Sequence, residues 1–175
     1  MLRQAFIFLL LICPLFLTAQ SKSLSQALSE GLVTLQAEGL GGYNGESLQA
    51  TVTNVGKRAI RIVLGPGMVF QSKDTTLQDL LVVDNEEYLL AANQKHSFKL
   101  VGYCCEMYRG GPGQGSVFQL VNQSNEKLSQ VATYLYRNYL DKNPMTQQAI
   151  WRDSARTQYE STHSQYRCAY SQARR

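Results

Sequence analysis

The chain of 175 residues is 44% hydrophobic, 17% charged and 10% aromatic, with a formal net charge of +4. This composition suits one globular domain and excludes collagen-like, coiled-coil and long disordered chains. Four Cys and two His are too few for a serial zinc array, and no metal or cofactor is expected. The Lys and Arg residues are scattered rather than concentrated, so we expect no nucleic-acid partner.

The first 19 residues have the three-part layout of a secretory signal peptide. Arg3 supplies a positive charge, residues 5–17 are almost all apolar, and the small residue Ala19 precedes Gln20. About 13 apolar residues are too few for a bilayer, which requires roughly 20, so we predict cleavage after Ala19 rather than a retained anchor. The Ala-Gln junction resembles secretory signals common in the Bacteroidota. These features predict a secreted or periplasmic protein without a membrane span, in which residues 20–30 form a linker.

The middle of the chain predicts strands. All 13 Gly lie between Gly31 and Gly115, and apolar and polar residues alternate with the period of a half-buried strand. The candidate strands are residues 32–38, 48–53, 60–64, 68–72, 80–84, 88–92, 97–103 and 117–121. The turn sequence at residues 54–56 predicts that residues 47–64 form a β-hairpin. Many short strands without helical crossovers predict a mainly β fold, an antiparallel β-sandwich over residues 31–122.

Residues 123–160 predict a two-helix C-terminal extension. Apolar residues at helical spacing predict a first helix over residues 125–141. Asn143 is a candidate N-cap and Pro144 suits a first helical turn, so a second helix is predicted to run toward Tyr159. Its apolar face is expected to comprise Met145, Ala149, Ile150 and Trp151. Residues 161–175 form a polar tail.

Three cysteines remain after the predicted cleavage, in a compartment that permits disulfides. Cys104 and Cys105 are adjacent, so in an extended backbone they point to opposite faces and at most one can meet Cys168. A single disulfide to Cys168 would tie the tail to the sheet and leave one thiol buried. The candidate pair is Cys105 and Cys168, although spacing alone does not establish connectivity.

Two short motifs carry a resemblance to a known family. Tyr103-Cys104, followed by Thr146-Gln147-Gln148-Ala149-Ile150-Trp151, resembles the paired signature of thioester domains in secreted bacterial adhesins. In those domains the Cys joins the Gln in an internal thioester, and an amine on a host protein opens it to leave a covalent attachment. The resemblance implies that Cys104 is the thiol, Gln147 the acyl donor and Trp151 packing support. Such a bond forms only where the thiol is held against the carboxamide, and it persists only where water is excluded.

A second resemblance concerns the strand region. Residues 43–70, with an Asn-x-Gly turn and a Pro-Gly before an aromatic strand, resemble immunoglobulin-like modules of bacterial envelope proteins. The sandwich is therefore expected to be immunoglobulin-like, although a fold alone says little about activity.

Three functional hypotheses remain open. Apolar residues at helical spacing usually belong to a core, which favours Gln147 and Gln148 as exposed helix residues. The first hypothesis is therefore a secreted, non-enzymatic binding or structural module of the bacterial envelope, with an unidentified protein or glycan as partner. The second is a covalent adhesion module with a Cys104–Gln147 thioester. The third is a small cysteine hydrolase that pairs Cys104 or Cys105 with His96.

Overall fold

The computed structural model describes residues 20–121 and 126–154. These ranges contain nine strands and two helices with defined bounds: β1 (Gln20–Ser23), α1 (Leu24–Ser29), β2 (Val33–Leu40), β3 (Glu46–Asn54), β4 (Ile60–Leu64), β5 (Val69–Ser72), β6 (Leu80–Val82), β7 (Glu86–Leu90), β8 (Lys95–Cys104), β9 (Gln114–Val121) and α2 (Glu126–Arg137). Residues 146–154 are also helical and are called α3. None of the helices in the described ranges has the length and apolar character to cross a bilayer.

Six strands form a closed antiparallel barrel in the order β2-β3-β8-β6-β5-β9. The barrel closes because β9 pairs with β2 along one edge and with β5 along the other, which leaves the sheet without a free edge. The remaining strands form a second sheet, β1-β4-β7, in which β1 runs parallel to β4. The mainly β class with C-terminal helices is confirmed. The predicted immunoglobulin-like sandwich over residues 31–122 is wrong, because six of its strands close into one barrel, whereas β4 and β7 belong to a separate sheet.

The predicted hairpin at residues 47–64 is also wrong. β3 pairs with β2 and β8, whereas β4 pairs with β1 and β7 in the other sheet. Asn54, the last residue of β3, lies where the two strands separate. Its side chain is buried, at 1% exposure. Its amide nitrogen donates to the main-chain oxygens of Arg58 (2.8 Å), Leu90 (3.2 Å) and Ala91 (2.9 Å). Asn54 therefore joins the barrel to the second sheet, and its Oδ1 also accepts the Gly56 N–H at 2.9 Å in the turn that follows β3.

The apolar core has two parts, which meet across β8. The first joins the barrel interior to α1 and the second sheet, and it includes Cys104. The second lies between the barrel and the C-terminal helices, and it includes Tyr103 and Cys105. Side chains of successive strand residues point to opposite faces, which places neighbouring cysteines in different clusters. α2 and α3 contribute Ala132, Leu135 and Ile150 to the cluster that contains Cys105.

The segments flanking the barrel differ in detail from the sequence expectation. Residues 20–30, expected to be a linker, contain β1 and α1, and Ser23 closes a capping box at the start of α1. α2 ends at Arg137, earlier than predicted, because Tyr139 adopts a left-handed backbone with φ of 55°. Asn143 caps the next turn as predicted, since its Oδ1 accepts the Met145 N–H at 2.8 Å. The predicted signal peptide at 1–19 and the polar tail at 161–175 lie outside the described residues.

We expect Asn54→Ala to lower the free energy of unfolding by about 2–3 kcal/mol, because it leaves buried carbonyl groups without their donor. Chemical denaturation followed by circular dichroism measures this change. Gln49→Ala, at an exposed position of the same strand, is the matched control and should change stability by less than about 0.5 kcal/mol. Equal effects of the two substitutions would contradict a special role for Asn54.

Candidate functional site

The candidate site lies at the C-terminal end of β8, where the strand extends past one of its neighbours. β3 begins at Glu46, which pairs with Val101, so the last residues of β8 lie beyond the end of β3. On the opposite side β6 continues, and Leu80 pairs with Cys104. The Cys105 N–H donates to the Asp79 oxygen on the β6 side at 2.9 Å. Main-chain groups of successive strand residues point in opposite directions, so those of Cys104 face the open side.

Gln147 of α3 fills the open side. Its Oε1 accepts the Cys104 N–H at 3.0 Å, and its Nε2 donates to the Cys104 carbonyl oxygen at 2.7 Å. The carboxamide thus satisfies both main-chain groups, as a neighbouring strand would. Cys104 is 0% exposed and Gln147 is 4% exposed. The expectation that Gln147 is exposed is wrong, because the end of β8 requires a polar partner there; Gln148 is exposed as expected.

Trp151 fixes the helix that carries Gln147. The two residues are four positions apart and therefore lie on the same face of α3. The indole Nε1 of Trp151 donates to Oε1 of Gln78 at 3.2 Å, and Nε2 of Gln78 donates to the Arg109 main-chain oxygen at 3.0 Å. Gln78 is buried, so it connects α3 to the segment that follows β8.

The predicted apolar face of α3 is correct only in part. Ile150 is buried and Trp151 is half-buried, as expected. Met145 is 60% exposed and Ala149 is also exposed. The face of α3 that packs against the barrel therefore contains both apolar residues and polar residues of the motif.

Burial determines the charge state of the two adjacent thiols. Burial, together with a smaller contribution from the nearby carboxylate of Glu106, raises the pKa of Cys104 to about 12. Burial likewise raises the pKa of Cys105 well above its usual value. An apolar, buried site disfavours the thiolate, so both sulphur atoms carry protons at neutral pH.

The cysteine pairings predicted for other functions are not assembled in the described residues. His96 and Cys104 lie near opposite ends of β8, about 26 Å apart at the usual rise per strand residue. His96 packs against Tyr88, with ring centroids 4.9 Å apart. The hydrolase hypothesis therefore lacks its nucleophile–base contact. Cys168 lies outside the described residues, so the Cys105–Cys168 disulfide stays a prediction.

The loop at residues 41–45 forms the outer side of the site. The main-chain oxygen of Tyr43 also accepts the Cys104 N–H, at 3.2 Å. The Tyr43 ring lies beside Gly111, where a methyl group would be 2.9 Å from Cε1 of the ring. Tyr43 and Gln78 were not predicted from the sequence as site residues. Neither belongs to a motif, and their contacts join segments that are distant in sequence.

Within residues 20–121 and 126–154, no three His, Cys, Asp or Glu side chains are arranged to hold a metal ion. Comparisons with family models, curated proteins and solved structures gave no match. The Cys104–Gln147 contact is therefore the feature of the described residues that bears most directly on function.

We expect Gln147→Ala to lower the free energy of unfolding by about 2 kcal/mol in a Cys104→Ala background, where no Cys–Gln bond can contribute. The physical reason is the loss of the hydrogen bonds to the buried main chain of residue 104. Gln148→Ala in the same background is the matched control and should have an effect below about 0.5 kcal/mol. Chemical denaturation tests both, and a neutral Gln147→Ala would show that the carboxamide is dispensable for folding.

Proposed function

We propose that Cys104 and Gln147 form an internal thioester, and that the protein uses it to attach covalently to an amine on another molecule. The observation that carries the proposal is the contact itself: the Gln147 carboxamide is hydrogen-bonded to both main-chain groups of Cys104. The thiol is attached to the same Cα, so rotation of a short side chain sets its approach to the carboxamide carbon. Fixed proximity of this kind replaces a bimolecular encounter with an intramolecular step.

Formation of the bond needs no external reagent. Sγ of Cys104 attacks Cδ of Gln147, the Sγ–Cδ bond forms, and the Cδ–Nε2 bond breaks. The thiol proton passes to Nε2, which leaves as ammonia. The Cys104 N–H lies 3.0 Å from Oε1, so it is placed to stabilise the negative charge that develops on this oxygen during attack.

Burial supports the persistence of such a bond. Both partners are almost fully shielded from solvent, and exclusion of water protects a reactive acyl group from hydrolysis. The raised pKa of the Cys104 thiol makes its thiolate a poor leaving group, which slows opening by water and by amines alike. The site favours a long-lived electrophile over rapid turnover.

Opening of the bond transfers the acyl group to an amine. The amine nitrogen bonds to Cδ, the Cδ–Sγ bond breaks, and a proton from the amine restores the thiol. The most abundant primary amine on proteins is the lysine side chain, so we propose a protein with an accessible lysine as partner. Each molecule reacts once, which makes the protein a covalent adhesion module and not an enzyme. The predicted signal peptide supports action in the periplasm, at the cell surface or outside the cell.

We expect the intact purified protein to be about 17 Da lighter than its sequence mass, because ammonia is lost when the bond forms. Incubation with methylamine should add about 31 Da to that species, because the amine opens the bond. Intact-mass spectrometry and fragmentation of the peptide that contains Gln147 measure both changes. Cys104→Ala should abolish the methylamine-sensitive part of the deficit while leaving the main-chain partners of Gln147 in place.

Two controls make this test specific. Cys105→Ala removes the neighbouring buried thiol and should leave the deficit and the methylamine reaction unchanged. Cleavage after Ala19 would place Gln20 at the N-terminus, where cyclisation also releases ammonia, but the resulting lactam does not take up methylamine. Full-length protein with the sequence mass and no methylamine incorporation at Gln147 would refute the proposal.

A further inference from the structure

The proposed thioester creates a problem of access. Cys104 and Gln147 are buried, which protects the bond from water, yet an amine on another protein must reach the carboxamide carbon. An element over the site must therefore admit the amine. β6 is locked into the closed barrel on one side of Cys104.

The loop at residues 41–45 is the element best placed to control access. Two groups accept the Cys104 N–H: Oε1 of Gln147 and the main-chain oxygen of Tyr43. Of these two residues, only Tyr43 belongs to an exposed segment, and it is itself 59% exposed. The loop contacts the reacting residue directly while lying at the protein surface.

The backbone of this loop depends on glycine. Gly41, Gly42 and Gly45 have positive φ angles of 89°, 94° and 77°, a region that glycine adopts at low cost. Gly45 also accepts the Gly102 N–H at 2.9 Å, which anchors one end of the loop to β8. Tyr43 lies between these glycines, and its ring contacts Gly111 on the opposite loop.

We propose that the Tyr43 ring controls access to the site, and that its contact with Gly111 sets how readily nucleophiles reach the Cys104–Gln147 carbonyl. This inference rests on the proposed thioester. With the ring against Gly111, the loop shields the carbonyl. The main-chain oxygen of Tyr43 then also competes with Oε1 of Gln147 for the Cys104 N–H. When an incoming protein displaces the ring, its lysine gains entry and the N–H becomes fully available to the developing oxyanion.

The test compares thioester opening in full-length wild-type protein and in Tyr43→Ala. Methylamine incorporation and spontaneous hydrolysis are followed by intact mass. We expect both rates to rise about tenfold in Tyr43→Ala, the change produced by about 1.4 kcal/mol of lost shielding. Tyr43→Phe retains the ring and should behave as the wild type. Rates in Tyr43→Ala that are unchanged or slower would overturn the inference.

A pair of glycine substitutions tests the ring contact without altering Tyr43. A methyl group at Gly111 would displace the ring, whereas one at Gly113 meets no atom within 4 Å. Gly111→Ala should therefore accelerate opening, and Gly113→Ala should leave the rates at the wild-type value. Equal rates in the two variants would contradict control by this contact.

The outcome for Tyr43 is separable from the outcome for the proposed function. If wild-type protein carries the methylamine-sensitive mass deficit but the Tyr43 and Gly111 variants open at its rate, only the inference about Tyr43 fails. If wild-type protein carries no such deficit at Gln147, the proposed function fails and the inference about Tyr43 fails with it.

Discussion

The site is organised by the hydrogen bonds between the side-chain amide of Gln147 and the main chain of Cys104, at the end of β8. β8 extends beyond β3, and its Cys104 main-chain groups need partners in a buried place. The Gln147 carboxamide supplies both a donor and an acceptor there. The same contact that satisfies the backbone also brings the Gln147 carboxamide to the residue that carries the thiol, so one pair of residues serves the fold and could also serve the proposed chemistry.

The surrounding structure maintains this pair in two ways. Trp151 and Gln78 fix α3 by a partly buried hydrogen bond one helical turn away from Gln147. The closed barrel fixes β8 through β3 on one side and β6 on the other. Burial keeps the Cys104 thiol neutral by raising its pKa, which suppresses nonspecific thiol chemistry. A masked electrophile needs such conditions, whereas a hydrolase needs an ionisable cysteine with an adjacent base.

The sequence predicted the strands and helices well, but not how they pair. Period-2 alternation located most strands because each has one buried face. It does not specify which edges meet, so barrel closure through β9 and the separation of β3 from β4 were missed. For the site, the two motifs identified Cys104 and Gln147 as a candidate pair. Helical spacing alone predicted that Gln147 is at the surface. Periodicity does not show that the main-chain groups at the end of β8 lie beyond β3 and require an amide partner.

The most direct test of the account is a high-resolution crystal structure of the protein purified without added amines, with attention to the electron density between Sγ of Cys104 and Cδ of Gln147. The account predicts continuous density at a covalent distance, with Nε2 absent and Oε1 still bound to the Cys104 N–H. A separate thiol and an intact carboxamide at van der Waals distance would show that the contact serves folding alone.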